Sequence, residues 1–82
     1  MPDKTADLYR LPTCPYGKHA RELLEENGFE IDDHIFQGHD DADRFMRENG
    51  VDTTPQVFID GERIGGSDEL EQYLREHSAA EA

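Results

Sequence analysis

The alternation of short apolar runs with helical segments is the feature that most constrains how this chain can fold. Apolar runs at residues 8–11, 29–35, 56–59 and 62–64 predict four strands. In the intervening and final segments, apolar residues recur at spacings of three and four, which predicts three helices. Their inner faces would carry Ala20, Leu23 and Leu24, then Ala42, Phe45 and Met46, and finally Leu70, Tyr73, Leu74 and His77.

This order, βαβαββα, predicts the arrangement of the sheet. A strand–helix–strand unit favours a parallel pair with a right-handed crossover. Asp60-Gly61 lies between the last two runs and is a strong two-residue hairpin signal, so it adds an antiparallel pair. We therefore predict an α/β fold with a four-stranded mixed sheet and three helices. At 82 residues the chain forms one domain, with a core at residues 6–76 and frayed termini. Asp33 interrupts the inward apolar row of the second strand.

Charge and composition exclude several classes of function. Twenty acidic residues against eight basic ones give a net charge of -12. Nucleic-acid binding needs a basic surface, and an anionic membrane would repel this chain. No apolar run approaches the roughly 20 residues that span a membrane, and residues 1–7 lack a signal-peptide stretch. We expect a soluble, cytoplasmic protein that binds neither nucleic acid nor a membrane. The acidity is typical either of general solubility or of adaptation to high salt.

The single cysteine, Cys14, excludes an internal disulfide and a zinc cluster of several cysteines within one chain. Pro15 follows it and suits the first position of a helix, so Cys14 is predicted to lie at a helix N-terminus. The unpaired N–H groups there stabilise a thiolate, and Lys18 adds positive charge one turn later. A lone cysteine is more often a buried structural residue, but the neighbouring prolines and Lys18 favour a reactive thiol.

Two further segments carry weaker signals. Thr53-Thr54-Pro55 directly precedes the third strand, where a trans proline is the ordinary interpretation. A cis bond would instead leave the backbone groups of Thr54 free for an extended ligand. A glycine-rich turn at residues 65–68 leads into the last helix and is suited to binding an anion. Asp68 is interpreted either as part of that site or as an acid that complements the helix dipole.

Taken together, three segments closely resemble the active-site segments of the glutaredoxins in order and spacing: Cys14-Pro15-Tyr16-Gly17, Thr53-Thr54-Pro55 and Gly65-Gly66-Ser67-Asp68. The resemblance covers residues 6–76. It implies a thioredoxin-like fold, a cis peptide bond before Pro55, and glutathione as the thiol partner.

The resemblance also implies a role for each residue of the site. Cys14 would be the nucleophile, and the N–H groups of Gly66 and Ser67 would bind the γ-glutamyl carboxylate of glutathione. Asp68 would accept its ammonium group, while the Thr54 backbone would pair with its cysteinyl part. The full set of implied glutathione-binding residues is Tyr16, Thr54, Pro55, Gly66, Ser67 and Asp68.

The chain departs from the usual glutaredoxin pattern where a second thiol and basic groups are expected. Gly17 takes the place of the second active-site cysteine, and Ser67 replaces another cysteine that is common in the family. Leu11 stands where a lysine is usual, and we expect the adjacent Arg10 to face the opposite way. Residues 51–52 lack the basic residue that often precedes the Thr-x-Pro segment. Substitutes for the missing basic groups are available on the second helix, at Arg44 or Arg47.

Three functions remain open at this stage. The first is glutathione-dependent thiol–disulfide exchange by one thiol, which removes glutathione from mixed disulfides. The second is a dimer that binds a [2Fe–2S] cluster through two copies of Cys14 and two glutathiones. The third is a thioredoxin-fold module that binds a partner or senses oxidation without turnover. We expect a monomer, and no metal role for the four histidines, His19, His34, His39 and His77.

Overall fold

The computed structural model describes residues 4–81, and the side chains of residues 4–76. The elements follow the predicted order: β1 (Thr5–Arg10), α1 (Pro15–Glu26), β2 (Glu30–Ile35), α2 (His39–Asn49), β3 (Gln56–Ile59), β4 (Glu62–Gly65) and α3 (Ser67–Glu81). The side chain of His77, predicted on the inner face of α3, falls outside the described residues. Within residues 4–81, no helix combines the length and the apolar character needed to cross a membrane.

The four strands form one mixed sheet in the order β2-β1-β3-β4. β1 and β2 are parallel because α1 carries the chain back across the sheet between them. β3 is antiparallel to both β1 and β4. At the β3–β4 turn, Asp60 and Gly61 have φ angles of 52° and 81°, and positive values at both positions are what a tight hairpin turn requires. The predicted sheet and fold class are confirmed.

One face of the sheet is covered by α1 and α3. Alternate residues of β1 and β3 point to this face, and they meet the inner residues of the two helices. The helices also contact each other. The resulting core contains Ala6, Leu8, Ala20, Leu24, Val57, Ile59, Leu70 and Leu74.

The opposite face carries aromatic rings and faces α2. The ring of Tyr9 stacks on His34 at a centroid distance of 4.3 Å and on Phe45 of α2 at 4.5 Å. Phe58 of β3 meets the Tyr9 ring edge-on at 5.7 Å, and Phe36 lies 5.3 Å from Phe45. α2 is therefore attached to the sheet through ring contacts.

The strand register brings three chain segments to one edge of the sheet. β1 and β3 are antiparallel with Tyr9 opposite Gln56, so the end of β1 lies beside the start of β3. In the next pair Val57 lies opposite Gly65, so the end of β4 lies there too. The segments that follow or precede these strand ends are residues 11–14, residues 53–55 and the start of α3. These are the segments that the sequence predicted to form the site.

Candidate active site

Cys14 is the N-cap of α1, as predicted. Its backbone is extended, with φ -79° and ψ 119°, and Pro15 occupies the first position of the helix. The Cys14 N–H donates to the carbonyl of Leu11 at 3.3 Å, and the Cys14 carbonyl accepts the N–H of Lys18 at 3.2 Å. The thiol is free and partly exposed. The side chain therefore starts at the positive end of the helix dipole and is accessible to a small disulfide.

The peptide bond between Thr54 and Pro55 is cis, as the resemblance implied. The following residue, Gln56, holds this loop in place. Its side-chain amide donates to the Thr53 carbonyl at 2.8 Å and to the Thr53 hydroxyl at 3.2 Å, and the residue is only 2% exposed. The buried side-chain oxygen of Gln56 has no hydrogen-bond partner among the described residues.

The start of α3 completes a cleft of about 290 Å³ beside this loop. Gly66 lies beside Pro55, since a Cβ on Gly66 would be in ordinary contact with the Pro55 carbonyl oxygen at 3.4 Å. The cleft is lined by Tyr16, Thr53, Thr54, Pro55, Gly66, Ser67, Asp68 and Glu69. All six residues implied as binding residues line it. Cys14 is not among the lining residues but precedes Tyr16 by two positions. Of the two other lining residues, Thr53 belongs to a segment that the sequence singled out, whereas Glu69 was missed.

Comparison with known proteins agrees with this geometry. The family model of glutaredoxin matches residues 7–64, which is more than half of the chain. The chain is 34% identical over 65 residues to glutaredoxin 3 of Escherichia coli K12, covering 78% of each protein.

The chain belongs to the glutaredoxin family.

A second relative matches over part of its length, and a solved glutaredoxin structure has the same fold. The hybrid peroxiredoxin hyPrx5 of Haemophilus influenzae is 39% identical over 72 residues; the alignment takes in 87% of this chain but only 30% of that relative's length. Among solved structures, glutaredoxin 1 from Francisella tularensis, complexed with cacodylate, has a TM-score of 0.84 at 28% identity. It covers 93% of this chain and 98% of its own. The chain is thus a glutaredoxin-like thiol–disulfide oxidoreductase with a thioredoxin-like fold.

Glu69 gives this glutaredoxin a carboxylate of its own at the start of α3. Its Oε1 accepts the N–H of Gly66 at 2.7 Å. The contact is the side-chain half of a capping box, which a glutamate three residues after the N-cap position signals in the sequence. Because Gly66 was expected to offer this N–H to glutathione, Glu69 has to move away before that donor is available.

Arg10 faces the side that was expected, but its contact with Gly17 was not predicted. Arg10 does face opposite to Tyr9, on the side of Leu8, but that is the face which α1 covers. Its stem therefore packs on Gly17, where a Cβ would lie 2.9 Å from Arg10 Cβ. The alternation rule assigned the right face, but the position of α1 over the end of β1 could not be derived from it.

An ion-paired network anchors Arg10 to β2. Its Nε and Nη2 donate to the two carboxylate oxygens of Asp33 at 3.0 and 2.8 Å, and Nη1 of Arg21 donates to Asp33 Oδ2 at 2.5 Å. The hydrogen bond from Arg10, assisted by that from Arg21, holds the pKa of Asp33 below its ordinary value although burial opposes this. The interruption of the apolar row in β2 is thereby explained.

Three side chains on the aromatic face lie close enough together to bind a metal ion. Ligand atoms of Asp7, Asp32 and His34 lie within 4.8 Å of one another, and they form the one such group found in the described part of the chain. His34 Nε2 already lies 3.2 Å from Asp7 Oδ1. Burial, followed by the charges of Asp7 and Asp32, raises the pKa of Tyr9. Cys14 is not part of this group.

Proposed function

We propose that this glutaredoxin removes glutathione from mixed disulfides and uses Cys14 as its only thiol. The observation that carries the proposal is that residue 17 is a glycine. Residues at i and i+3 of a helix are neighbours, so a resolving thiol would stand there, and the chain has Gly17 instead. Cys14 is the single cysteine of the sequence, which leaves exchange with free glutathione as the way to complete a cycle.

The reaction proceeds by two thiol–disulfide exchanges. The Cys14 thiolate attacks the glutathione sulfur of the mixed disulfide, an S–S bond forms between them, and the substrate leaves as a thiolate that takes up a proton. A second glutathione, as its thiolate, then attacks the glutathione sulfur bound to Cys14. Glutathione disulfide leaves and the Cys14 thiolate is restored. Each turnover consumes one free glutathione: the mixed disulfide becomes a substrate thiol, and the disulfide bond passes to glutathione disulfide, so the cycle balances.

Binding of glutathione is assigned to the cleft beside Cys14. The cis bond before Pro55 supports backbone pairing between Thr54 and the cysteinyl part of the ligand. We assign the N–H groups of Ser67 and, once Glu69 releases it, Gly66 to the γ-glutamyl carboxylate, and Asp68 to the ammonium group; the support is that all three residues line the cleft. Tyr16 is 64% exposed, which makes its ring available to cover the ligand.

A single chain is sufficient for this cycle, so we infer that the protein works as a monomer in the cytoplasm, where glutathione is kept reduced. A [2Fe–2S] cluster needs four thiolates, and two copies of this chain would supply two. A coloured dimer that forms with iron, sulfide and glutathione and loses exchange activity would contradict the monomeric enzyme.

The test is glutathione-dependent reduction of a small glutathionylated disulfide. Cys14→Ser abolishes turnover because no other thiol is present. Asp68→Asn should lower kcat/KM roughly tenfold or more, since a charge-assisted hydrogen bond contributes about 1.5–3 kcal/mol. Glu76→Gln removes the same charge from α3 outside the cleft and should leave kcat/KM within about twofold.

Each alternative gives a distinct result. A wild-type chain that accepts one glutathione on Cys14 but never turns over is a sensing module and not an enzyme. Equal losses in Asp68→Asn and Glu76→Gln would show that the charge of the helix matters and that Asp68 makes no specific contact. Thermal unfolding of the variants separates loss of binding from loss of structure.

A further inference from the structure

Position 17 is closed to any side chain by Arg10. Gly17 is buried, and a Cβ there would lie 2.9 Å from Cβ and 3.1 Å from Cδ of Arg10. Atoms packed this closely repel, so a larger residue fits only if the Arg10 stem moves. The nearest atom is the Cβ of Arg10, which is fixed by the β1 backbone. A small rotation of a flexible chain end would therefore not relieve the contact.

The rest of the Arg10 side chain is also held in place. Its guanidinium makes two hydrogen bonds to Asp33, and the two side chains are only 13% and 14% exposed. Such a bidentate pair fixes direction as well as distance. Arg21 of α1 binds the same carboxylate, so the network joins the helix that carries Cys14 to the strand beneath it.

We propose that Arg10, held by Asp33, occupies the space that a resolving thiol at position 17 needs, so that the fold disfavours a disulfide between positions 14 and 17. The proposal rests on the proposed function, in which Cys14 as the single thiol completes its cycle with a second glutathione. Arg10 is a positioning residue in this scheme: it acts through residue 17 and touches no reacting atom. Changing Gly17 alone would not convert the enzyme into a dithiol one.

The first experiment measures an internal disulfide in redox buffers of glutathione and glutathione disulfide. Cys14 thiolate attacks glutathione disulfide and releases one glutathione; the thiolate introduced by Gly17→Cys then attacks the Cys14 sulfur and releases the second. We expect the equilibrium constant for this oxidation to be roughly tenfold larger in Arg10→Gly/Gly17→Cys than in Gly17→Cys, because the disulfide holds residue 17 against residue 10 and only Arg10→Gly removes the Cβ that it would meet. Intact mass and free-thiol counts identify the products.

Two aspartates of β2 provide a matched control. Asp33→Asn weakens the hold on Arg10, whereas Asp32→Asn removes the same charge from the other face of the strand. Combined with Gly17→Cys, the first should raise the equilibrium constant by less than Arg10→Gly does, because it frees Cδ of Arg10 but leaves Cβ in place, and the second should leave it unchanged. Equal constants in the Gly17→Cys variant with and without Arg10 would overturn the proposal.

A second measurement needs no thiol chemistry and so remains decisive if the cysteine variants misfold. Alanine is normally favoured over glycine inside a helix. We therefore expect Gly17→Ala to raise the melting temperature in an Arg10→Gly background, where the opposing Cβ is gone, and to lower it in the wild-type background. The same shift in both backgrounds would refute the steric proposal, whereas wild-type turnover tests the proposed function independently.

Discussion

The two faces of the sheet are built in different ways. On the α1/α3 face, aliphatic side chains from both helices and from β1 and β3 close a core in which Leu8, Leu24, Val57 and Leu70 are fully buried. On the α2 face, the contacts between α2 and the sheet are made by aromatic rings, and Phe45 of α2 is only partly buried. The active-site helix thus rests on the closed face, while α2 is attached to an open one.

The charges on the two faces differ as well. On the α1/α3 face, Asp33 is shared by Arg10 and Arg21. On the α2 face, Asp7 and Asp32 are register partners on adjacent strands, and a ring nitrogen of His34 lies within 4.8 Å of a carboxylate oxygen of each. Asp33 is therefore paired with two arginines on the face that carries the nucleophile. On the other face, Asp7 and Asp32 lie next to each other. Close packing and charge pairing are therefore concentrated on the face of the sheet that carries α1 and, at its N-terminus, Cys14.

The largest effect is expected when side chains on the two faces of the sheet are truncated and the losses of stability are compared. Leu8→Ala should destabilise the protein by about 2–5 kcal/mol because it opens a cavity in a closed core. Phe45→Ala should cost about 1–2 kcal/mol, since a partly buried ring loses its contacts with Tyr9 and Phe36. Urea unfolding measures both. If Leu8→Ala does not fold, Val57→Ala can replace it, because Val57 is buried on the same face. A larger loss of stability in Phe45→Ala than in either of these variants would contradict the difference between the two faces.

The next effect concerns the shared aspartate and its pH dependence. Asp33→Asn should destabilise the protein by about 1–2 kcal/mol at neutral pH, because it weakens charge-assisted hydrogen bonds. The folded-state pKa of Asp33 is depressed, so its contribution is complete above the ordinary value near 3.9 and is lost as the pH falls through the folded-state value. Urea unfolding at several pH values should show a constant gap at pH 5–7 that closes below about pH 4.

A gap that persists unchanged at low pH would mean that Asp33 acts through shape and not through its charge. Asp32→Asn, on the other face of β2, is the control and should cause no loss of stability at any of these pH values, because Asp32 is exposed.

The sequence predicted the fold and the site to different depths. Local signals were enough for Cys14 at a helix start, for the Asp60-Gly61 turn and for the glycine-rich start of α3, because each depends on neighbours in the chain. The cis bond before Pro55 followed from the resemblance, since an isolated X-Pro bond favours trans. Contacts between distant segments were not predictable: Asp33 looked like a defect in β2 until Arg10 and Arg21 were seen to bind it. Glu69 had a local signal, the capping spacing, that was overlooked.

The smallest expected effect tests whether the crowded carboxylates of the α2 face respond to salt. At a net charge of -12, raising NaCl from about 0.1 to about 1 M shortens the Debye length from about 10 to about 3 Å and should raise the melting temperature. Asp32→Asn should raise it by about 1–3 °C at low salt and reduce the gain from salt, because like charges on adjacent strands destabilise a sheet. Glu22→Gln, an exposed change of equal charge on α1, should do less. If the two variants behave alike, net charge alone explains the response; if salt gives no stabilisation, adaptation to high salt is refuted while the role of Cys14 is unaffected.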